Sequence, residues 1–446
     1  MTPSLFEMQR EMRMRREAAV KRGVVAVLDI GTSKIACLVL QFAPNLNTDP
    51  SATADITIPS MGAFRVIGVG TTRARGVRFG EVSVMDETER AIRTAVRQAQ
   101  KMSGQRVDDV LVTFAGGRPR SYGLSGEVGV ENGEVCANDI GNAMFACDVP
   151  PYGTDRQPIQ AMPVSFTLDQ QPGLSDPRGR VGTNLAVDMH MLTVNDTVVQ
   201  NLLNCVGRCD LEVAGLSISS FASGISSLVE NEQELGAACI DMGAGACGIS
   251  VFIKKQLIYA DAVRLGGDHI TNDIRQGLHV SQEVAERIKT LHGGLIATGS
   301  DDRDLIEVPN PMAQWEDDRR HVSRSELIGV MRPRVEEILE EVRERLDASG
   351  FEYLPSQQIV LTGGSSQIQG LSEVATRILG RHCRIGKPLR VMGLPQMATG
   401  PGFSAAIGLA LHASDPQDEC WDFEMPADRI GTRKMRRAMR WFRNNW

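Results

Sequence analysis

The sequence predicts an α/β protein of two lobes related by duplication. Two stretches of the same design carry that expectation, together with a length that exceeds one compact core. Residues 24–40 read as an apolar strand, the turn Asp29-Ile30-Gly31-Thr32-Ser33-Lys34, and a second apolar strand. Residues 238–253 repeat the design around Asp241-Met242-Gly243-Ala244-Gly245-Ala246. Strand, Asp-x-Gly and strand thus recur half a chain apart, which chance produces less readily than one such hairpin. At 446 residues the chain needs two or more lobes to bury its apolar side chains.

The remaining elements follow in order. Residues 1–22 mix Met and Arg with interleaved Glu7, Glu11 and Glu17, so residues 1–23 are expected to be a disordered, solvated extension. They lack the continuous apolar core of a signal peptide. A third strand is expected at 64–70, and residues 86–102 set Ile92, Ala95, Val96 and Ala99 on one helical face. Residues 110–115 read as a strand. Gly116-Gly117 and the Gly-rich stretch 123–133 predict hairpins, and Pro150, Pro151 and Pro158 a loop. A strand near 187–194 leads to a helix at 197–208, and a helix near 281–292 has Ser281 as its N-cap. Residues 299–322 predict a loop, 325–349 a long helix with Pro333 inside or at its start. A strand at 358–362 runs into Gly363-Gly364, and helices follow at 370–379 and 404–412. Residues 413–428 are acidic and contain Pro, as linkers do.

Composition excludes several classes. A net charge of -7 argues against nucleic acid as the main partner. The 9 Cys are odd in number and form no C-x-x-C pair, which fits reduced thiols in a cytoplasmic protein. The 7 His are scattered, with no built-in transition-metal pattern. No apolar run approaches the roughly 18 residues of a spanning helix, so any membrane contact is expected to be peripheral.

The turns carry the chemistry. A tight Gly turn between antiparallel strands can aim backbone N–H groups at a phosphate, and Thr32 and Ser33 add hydroxyl donors. Lys34 can neutralise charge there. Asp29 and Asp241 are placed to hold a hydrated Mg²⁺ through water. Either hairpin alone is equally an ordinary Gly turn. The strand running into Gly363, Gly364 and Ser365 adds backbone that can lie flat against a base and ribose. Glu286 and Lys289 share one helix face at i and i+3 and can clasp a nucleoside, although alone they are a plain surface ion pair.

In this order the elements resemble the superfamily of actin, sugar kinases and 70-kDa heat-shock proteins, whose two lobes close on ATP. Asp29, Gly31, Thr32, Ser33 and Lys34 resemble its first phosphate motif, Asp241, Gly243 and Gly245 the second, and Gly363, Gly364 and Ser365 the adenosine motif. Gly266-Gly267 resembles a Gly pair that approaches the nucleotide. Within the superfamily the chain is similar to the FtsA family of bacterial cell-division proteins, from about Val24 to Trp446. Residues 75–80, 285–289 and 359–370 and the basic end carry that likeness. It implies an actin-like two-lobed fold with an inserted α+β subdomain, 1C, in the first lobe. By position, subdomain 1A is expected at 24–83 and 168–228, 1C at 84–167, 2A at 229–267 and 335–412, and 2B at 268–334. The linker spans 413–428 and a membrane-targeting helix 429–446. Ala246 and Gly248 stand where relatives usually carry Thr and Asp, so ATP binding with weak or no hydrolysis is expected.

The last 18 residues form a pattern of their own. At helical spacing Met435, Ala438, Met439, Phe442 and Trp446 fall on one face, with Trp441 at its edge and Ile430 at its start. Arg433, Lys434, Arg436, Arg437, Arg440 and Arg443 fill the rest, and no acidic residue follows Asp428. This is the pattern of an interfacial helix on anionic lipid. A calmodulin-type target, a nucleic-acid tail or a docked helix shares parts of it. The apolar face favours membrane over nucleic acid, and the acidic stretch before it opposes docking.

The resemblance further implies filaments of the chain itself on the cytoplasmic face of the inner membrane at the division site. They would bind the C-terminal tail of the tubulin-like protein FtsZ through 2B, with Arg324, Arg332 and Arg334 as candidate contacts, and downstream division proteins through 1C. The rival readings are another actin-like membrane scaffold, for pili or cell-wall rods, and a small-molecule kinase. A kinase needs a catalytic base beyond Asp29 and Asp241, and no other candidate stands out.

Overall fold

In the computed structural model, which describes residues 5–42, 64–309, 319–388 and 391–423, the two predicted hairpins head two sheets of the same topology. The first lobe begins with α1 (Leu5–Arg22), β1 (Val24–Ile30), β2 (Lys34–Phe42) and β3 (Phe64–Arg73). The short pair β4 (Val77–Arg78) and β5 (Glu81–Val82), then α2 (Met85–Ser103) and β6 (Asp109–Phe114), follow. A separate body comes next: β7 (Arg120–Gly129), α3 (Ala137–Phe145), β8 (Arg156–Leu168), β9 (Gln171–Leu174) and β10 (Asn184–Asn195). The chain returns through α4 (Asp196–Gly207), β11 (Glu212–Ile218) and α5 (Ser219–Ser227). The second lobe holds α6 (Glu230–Leu235), β12 (Ala237–Met242), β13 (Cys247–Ile253), β14 (Gln256–Val263), α7 (Gly267–Gly277) and α8 (Gln282–His292). It continues with β15 (Leu305–Pro309), β16 (Arg319–Ser323), α9 (Arg324–Ala348), β17 (Gln358–Thr362), α10 (Leu371–Leu379), β18 (Cys383–Ile385) and α11 (Ser404–Ser414).

The sheets run β3-β2-β1-β6-β11 and β14-β13-β12-β17-β18. In each, three antiparallel strands lead into two parallel ones. The duplication read from two hairpins therefore extends over whole lobes. Both lobes have fully buried β cores, from Val25–Leu28 and Ile35–Leu40 in one to Ala237–Ile240 and Ile359–Leu361 in the other. Parallel crossovers cover both sheet faces with helices, which is why these strands read as unbroken apolar runs.

Helices α5 and α11 join the lobes by exchange. Helix α5 leaves the first lobe and packs on β12 and β13, whereas α11 leaves the second and packs on β1, β2 and β6. Between them Gly408 lies against the Ala222 backbone so closely that no Cβ fits.

Several expectations are corrected. Residues 84–114 are not part of an insertion. Strand β6 pairs with both β1 and β11, and α2 lays Ile92, Ala95, Val96 and Ala99 on β3. Gly68 and Gly70 leave room for that helix, since a Cβ on either would strike the carbonyls of Ala99 and Ala95. The inserted body is instead the sheet β7-β10-β8-β9 with α3, and it claims β10. Its Ser121 hydroxyl bridges the edge of β14, accepting from Ala260 N at 2.7 Å and donating to Ala260 O at 3.1 Å. The loop expected at 299–322 contains the hairpin β15–β16.

Residues 5–22 are a docked helix, not a disordered extension. Gln9, Met12, Arg16 and Ala19 form its buried stripe against β11, β1 and β6. The acidic stretch expected to be a linker is packed as far as Phe423. Trp421 and Phe423 enter the core of the inserted body, and Phe423 presses on Gly141 of α3. The two segments meet: Arg13 Nη1 lies 3.1 Å from Asp422 Oδ2 and donates to Gln417 O at 3.4 Å. Glu419 N donates to Asp422 Oδ2 at 2.7 Å, and Arg178 of the inserted body pairs with Asp418. Gln417 Nε2 reaches Lys255 O of the second lobe at 3.3 Å. Part of the charge that argued for solvent is thus met by partners far along the chain, Asp422 by Arg13 and Asp418 by Arg178.

Burial, reinforced by Asp422 and opposed by Arg16 and Arg13, pushes the Glu419 carboxyl up to about 8. The folded state then holds a proton that the unfolded chain releases near its ordinary pKa. This stabilisation is complete below about pH 4.5 and is lost as pH rises through about 8. Glu419→Gln should therefore match wild type near pH 5 and become progressively more stable than wild type toward about pH 8, as read by urea midpoints.

Candidate functional site

The two hairpin turns close in the same way. Gly31 N donates to Lys34 O at 3.1 Å, and Gly243 N to Ala246 O at 3.1 Å. Each turn leaves a strand whose last part carries a buried aspartate, Asp29 on β1 and Asp241 on β12. The turns then face each other: a Cβ on Gly245 would lie 2.5 Å from Thr32 Oγ1 and 2.9 Å from the Phe79 backbone. Only glycine permits that approach.

Asp29, Asp241 and Lys34 form one buried electrostatic group. Burial pushes Asp29 up to about 7, with Lys34 pulling it down and Asp241 raising it further. Burial also raises Asp241 against hydrogen bonds from Ser223 and Ser219 and the Lys34 charge. The Ser223 hydroxyl donates to Asp241 Oδ2 at 2.9 Å. Burial lowers Lys34, whose Nζ stands 3.3 Å from the centre of the Phe403 ring. Two carboxylates and one ammonium out of water leave net negative charge suited to a cation arriving with its own water. Among the described residues no group of three or more His, Cys, Asp or Glu could hold a metal directly.

The second lobe lines the other side. Gly267 N donates to Gly243 O at 3.0 Å and Asp268 N to Ala244 O at 2.8 Å, fixing the start of α7 beneath the second hairpin. A Cβ on Gly266 would lie 2.6 Å from Ala244 O. Lys289 Nζ bonds Glu286 Oε2 at 2.7 Å, Thr271 Oγ1 at 2.7 Å and Gly267 O at 3.1 Å. Glu286 and Lys289 are thus tied to the Gly266–Gly267 turn and are not a free surface pair. Gly363, at φ +85°, turns β17 past Asp241, and Ser365 Oγ donates to Gly243 O at 3.1 Å. Gly364 faces open space, so a flat ring can approach its backbone.

The structure therefore gathers Asp29, Gly31, Thr32, Lys34, Asp241, Gly243, Gly245, Gly266, Gly267, Glu286, Lys289, Gly363, Gly364 and Ser365 around one cleft, and Ser33 on the first turn. It adds residues the sequence reading missed: Phe79, Thr271, Phe403, Ser219 and Ser223. Only Thr271 had a local signal, four residues after Gly267 on one helix face. The substitution at Gly248 is built in, since a Cβ there would lie 2.8 Å from Ser220 Cβ on α5. Arg324, Arg332 and Arg334 are engaged internally. Arg324 pairs with Asp301 at 3.2 Å, Arg332 with Glu336 at 2.9 Å and Arg334 with Asp273 at 2.6 Å. The residues expected to bind membrane, from Ile430 to Trp446, lie outside the described residues.

Two duplicated lobes with glycine hairpins facing each other across a cleft define an actin-like protein. The structure is similar to a chain of the PilM–PilN type IV pilus biogenesis complex, with a TM-score of 0.59 at 15% identity over 88% of this chain and 99% of that one. It is also similar to MreB5 of Spiroplasma citri bound to ADP, with a TM-score of 0.51 at 12% identity over 87% of this chain and 95% of that one. The family model "Cell division protein FtsA" matches residues 238–408, and "SHS2 domain inserted in FTSA" matches residues 116–193, the inserted body described above. The cell division protein FtsA of Rhizobium meliloti is 41% identical over 389 residues, 87% of each chain. That of Pseudomonas aeruginosa is 31% identical over 437 residues, 96% of this chain and all of the other. The chain belongs to the FtsA family of cell division proteins.

Gly363→Ala tests the turn at the end of β17. The new Cβ meets Asp241 Oδ1 and lies 2.7 Å from Met242 O, at a φ that L residues disfavour. A loss of roughly 2–4 kcal/mol is expected in urea unfolding.

Proposed function

We propose that this cell-division protein binds ATP with Mg²⁺ in the cleft, polymerises on the cytoplasmic face of the inner membrane and anchors FtsZ filaments there. The observation that carries the reading is the pairing of a cleft built from glycine turns of both lobes with a C-terminal stretch, 429–446, whose charges are all basic apart from the chain end. The turns at Gly31–Ser33 and Gly243–Gly245 supply backbone N–H groups for phosphates, and Lys34 a positive charge. Asp29 and Asp241 fit a hydrated Mg²⁺ held through water. Gly363-Gly364 and the Glu286–Lys289 pair flank the nucleoside.

Each basic residue near anionic lipid contributes roughly 1 kcal/mol, and filament formation multiplies a reversible attachment. Among the described residues no helix is long and apolar enough to cross a membrane. FtsZ's tail is assigned to the smaller part of the second lobe, residues 268–334. Because Arg324, Arg332 and Arg334 all hold internal acids, the exposed apolar Leu291 and Leu305 are the contacts proposed for it. Later division proteins are assigned to the inserted body.

Hydrolysis should be weak. Ala246 offers no hydroxyl, and the packing of Gly248 against Ser220 excludes a carboxylate. ATP turnover with Mg²⁺ is expected below about one per minute, far under the rates usual for enzymes, and a faster phosphate-release rate would overturn this point. Membrane and partner roles are read together by flotation on anionic liposomes with ATP, comparing the full chain with one ending at Asp428. FtsZ should float only with the full chain. If the chain floats and leaves FtsZ behind, another membrane scaffold is favoured. If the full chain stays down, the membrane reading falls.

A further inference from the structure

We propose that Phe79 is a latch that holds the two phosphate hairpins together, a positioning residue that sets how long a bound nucleotide stays. The inference rests on the nucleotide-binding reading. Phe79 lies on the loop between β3 and α2, on the first lobe. Three of its residues take left-handed backbone: Gly76 at φ +73°, Phe79 at φ +53° and Gly80 at φ +73°. For glycine this is unremarkable in energy, but for Phe it is strain that surrounding contacts must hold in place.

Those contacts reach both hairpins. Gly80 N donates to Thr32 Oγ1 at 2.9 Å. That bond uses one of the hydroxyl's two acceptor lone pairs and leaves its proton to be donated. The Phe79 backbone abuts Gly245 at the tip of the second hairpin, where a Cβ would come within 2.9 Å. Two neighbouring residues thus act together: Gly80 N holds the hydroxyl of the first turn, and the Phe79 backbone stops the approach of the second.

The ring itself is held by the second lobe. The Arg264 guanidinium lies 4.7 Å from its centroid, and the His269 ring 5.9 Å. His269 in turn accepts from Gly266 N at 3.1 Å, so the ring leans on the same turn that supports the second hairpin. Arg264 Nη1 also lies 3.8 Å from Glu81 Oε1, which accepts from Gly117 N at 3.3 Å. Separating the lobes must draw an aromatic face away from a cation that attracts it. Lys34 over the Phe403 ring makes a second pair of this kind beside the first hairpin, whereas the Phe79 backbone also abuts the tip of the second hairpin. Phe79 therefore resists the opening through which a nucleotide leaves.

The test is stopped-flow release of a fluorescent ATP analogue, with Mg²⁺, from the full chain and its variants. F79A should release it about tenfold faster than wild type, while F79Y, which keeps the ring, should behave as wild type. R264A removes the cation, and with it the long contact to Glu81, while leaving the loop's own residues unchanged; it should speed release several-fold, and it decides the matter if F79A does not fold. A thermal midpoint within a few degrees of wild type for R264A separates positioning from general loosening. Release rates unchanged in F79A and R264A, from a wild type that does bind, overturn the latch alone. A wild-type chain that takes up no analogue removes the nucleotide reading and the latch with it.

Discussion

The contact between α5 and α11 is the constraint on which the rest of the molecule depends. At Gly408 the helices touch backbone to backbone against Ala222, and each is already committed to the sheet of the opposite lobe. Neither lobe can fold its sheet without borrowing a helix from its twin. The same pair reaches into the cleft. Ser223 on α5 donates to Asp241, and Ser404 at the start of α11 lies 2.7 Å from Thr362, the last residue before the Gly363 turn. Ser226 on α5 donates to Ser404 O at 2.7 Å, closing a hydrogen-bonded seam along the axis. Relative motion of the lobes is therefore a rotation about this seam, because sliding would break several buried hydrogen bonds at once.

This arrangement accounts for the charge group at the centre. Asp29 and Asp241 sit on equivalent strands of equivalent sheets, so the axis brings like charges toward each other in a buried place. A random surface would separate them. Here Lys34, reaching in from the first hairpin, and serines from α5 are the compensation the fold provides. Burial still moves all three ionisable groups toward their neutral forms, which marks a centre whose charge state responds to whatever enters the cleft.

What could be read from the sequence was what local geometry dictates. An apolar strand, Asp-x-Gly and a second strand make a hairpin by neighbour interactions alone, and the double glycine after β17 is likewise a local event. The lobes' duplication and the cleft residues were legible for that reason. What was hidden depends on partners far along the chain. Helix α1 looked too charged to pack because its counter-charges, Asp422, Glu419, Glu212 and Asp109, lie elsewhere in the sequence. Helix α2 and β6 were assigned to the insertion because nothing local says which sheet a strand will join. Phe79 lies in the stretch 75–80 that carries the family likeness, but its place beside the hairpins was not legible, since an aromatic in a Gly-rich loop is ordinary until Gly245 arrives from the other lobe.

The meeting of α1 with the segment ending at Phe423 has a consequence for the order in which the protein is made. Helix α1 is translated well before residues 417–422, from which Arg13 takes Asp422 and Arg16 feels Glu419 and Asp422; until then Glu17 is their acidic neighbour. At ordinary synthesis rates that interval is on the order of tens of seconds. Throughout it the nascent chain carries a helix with two arginines on its docking side and the half-exposed Glu17 to answer them. The corner where α1 meets the segment ending at Phe423 can close only after the 404 positions between Arg13 and Gln417 have been translated, so one contact spans both lobes in the order of synthesis.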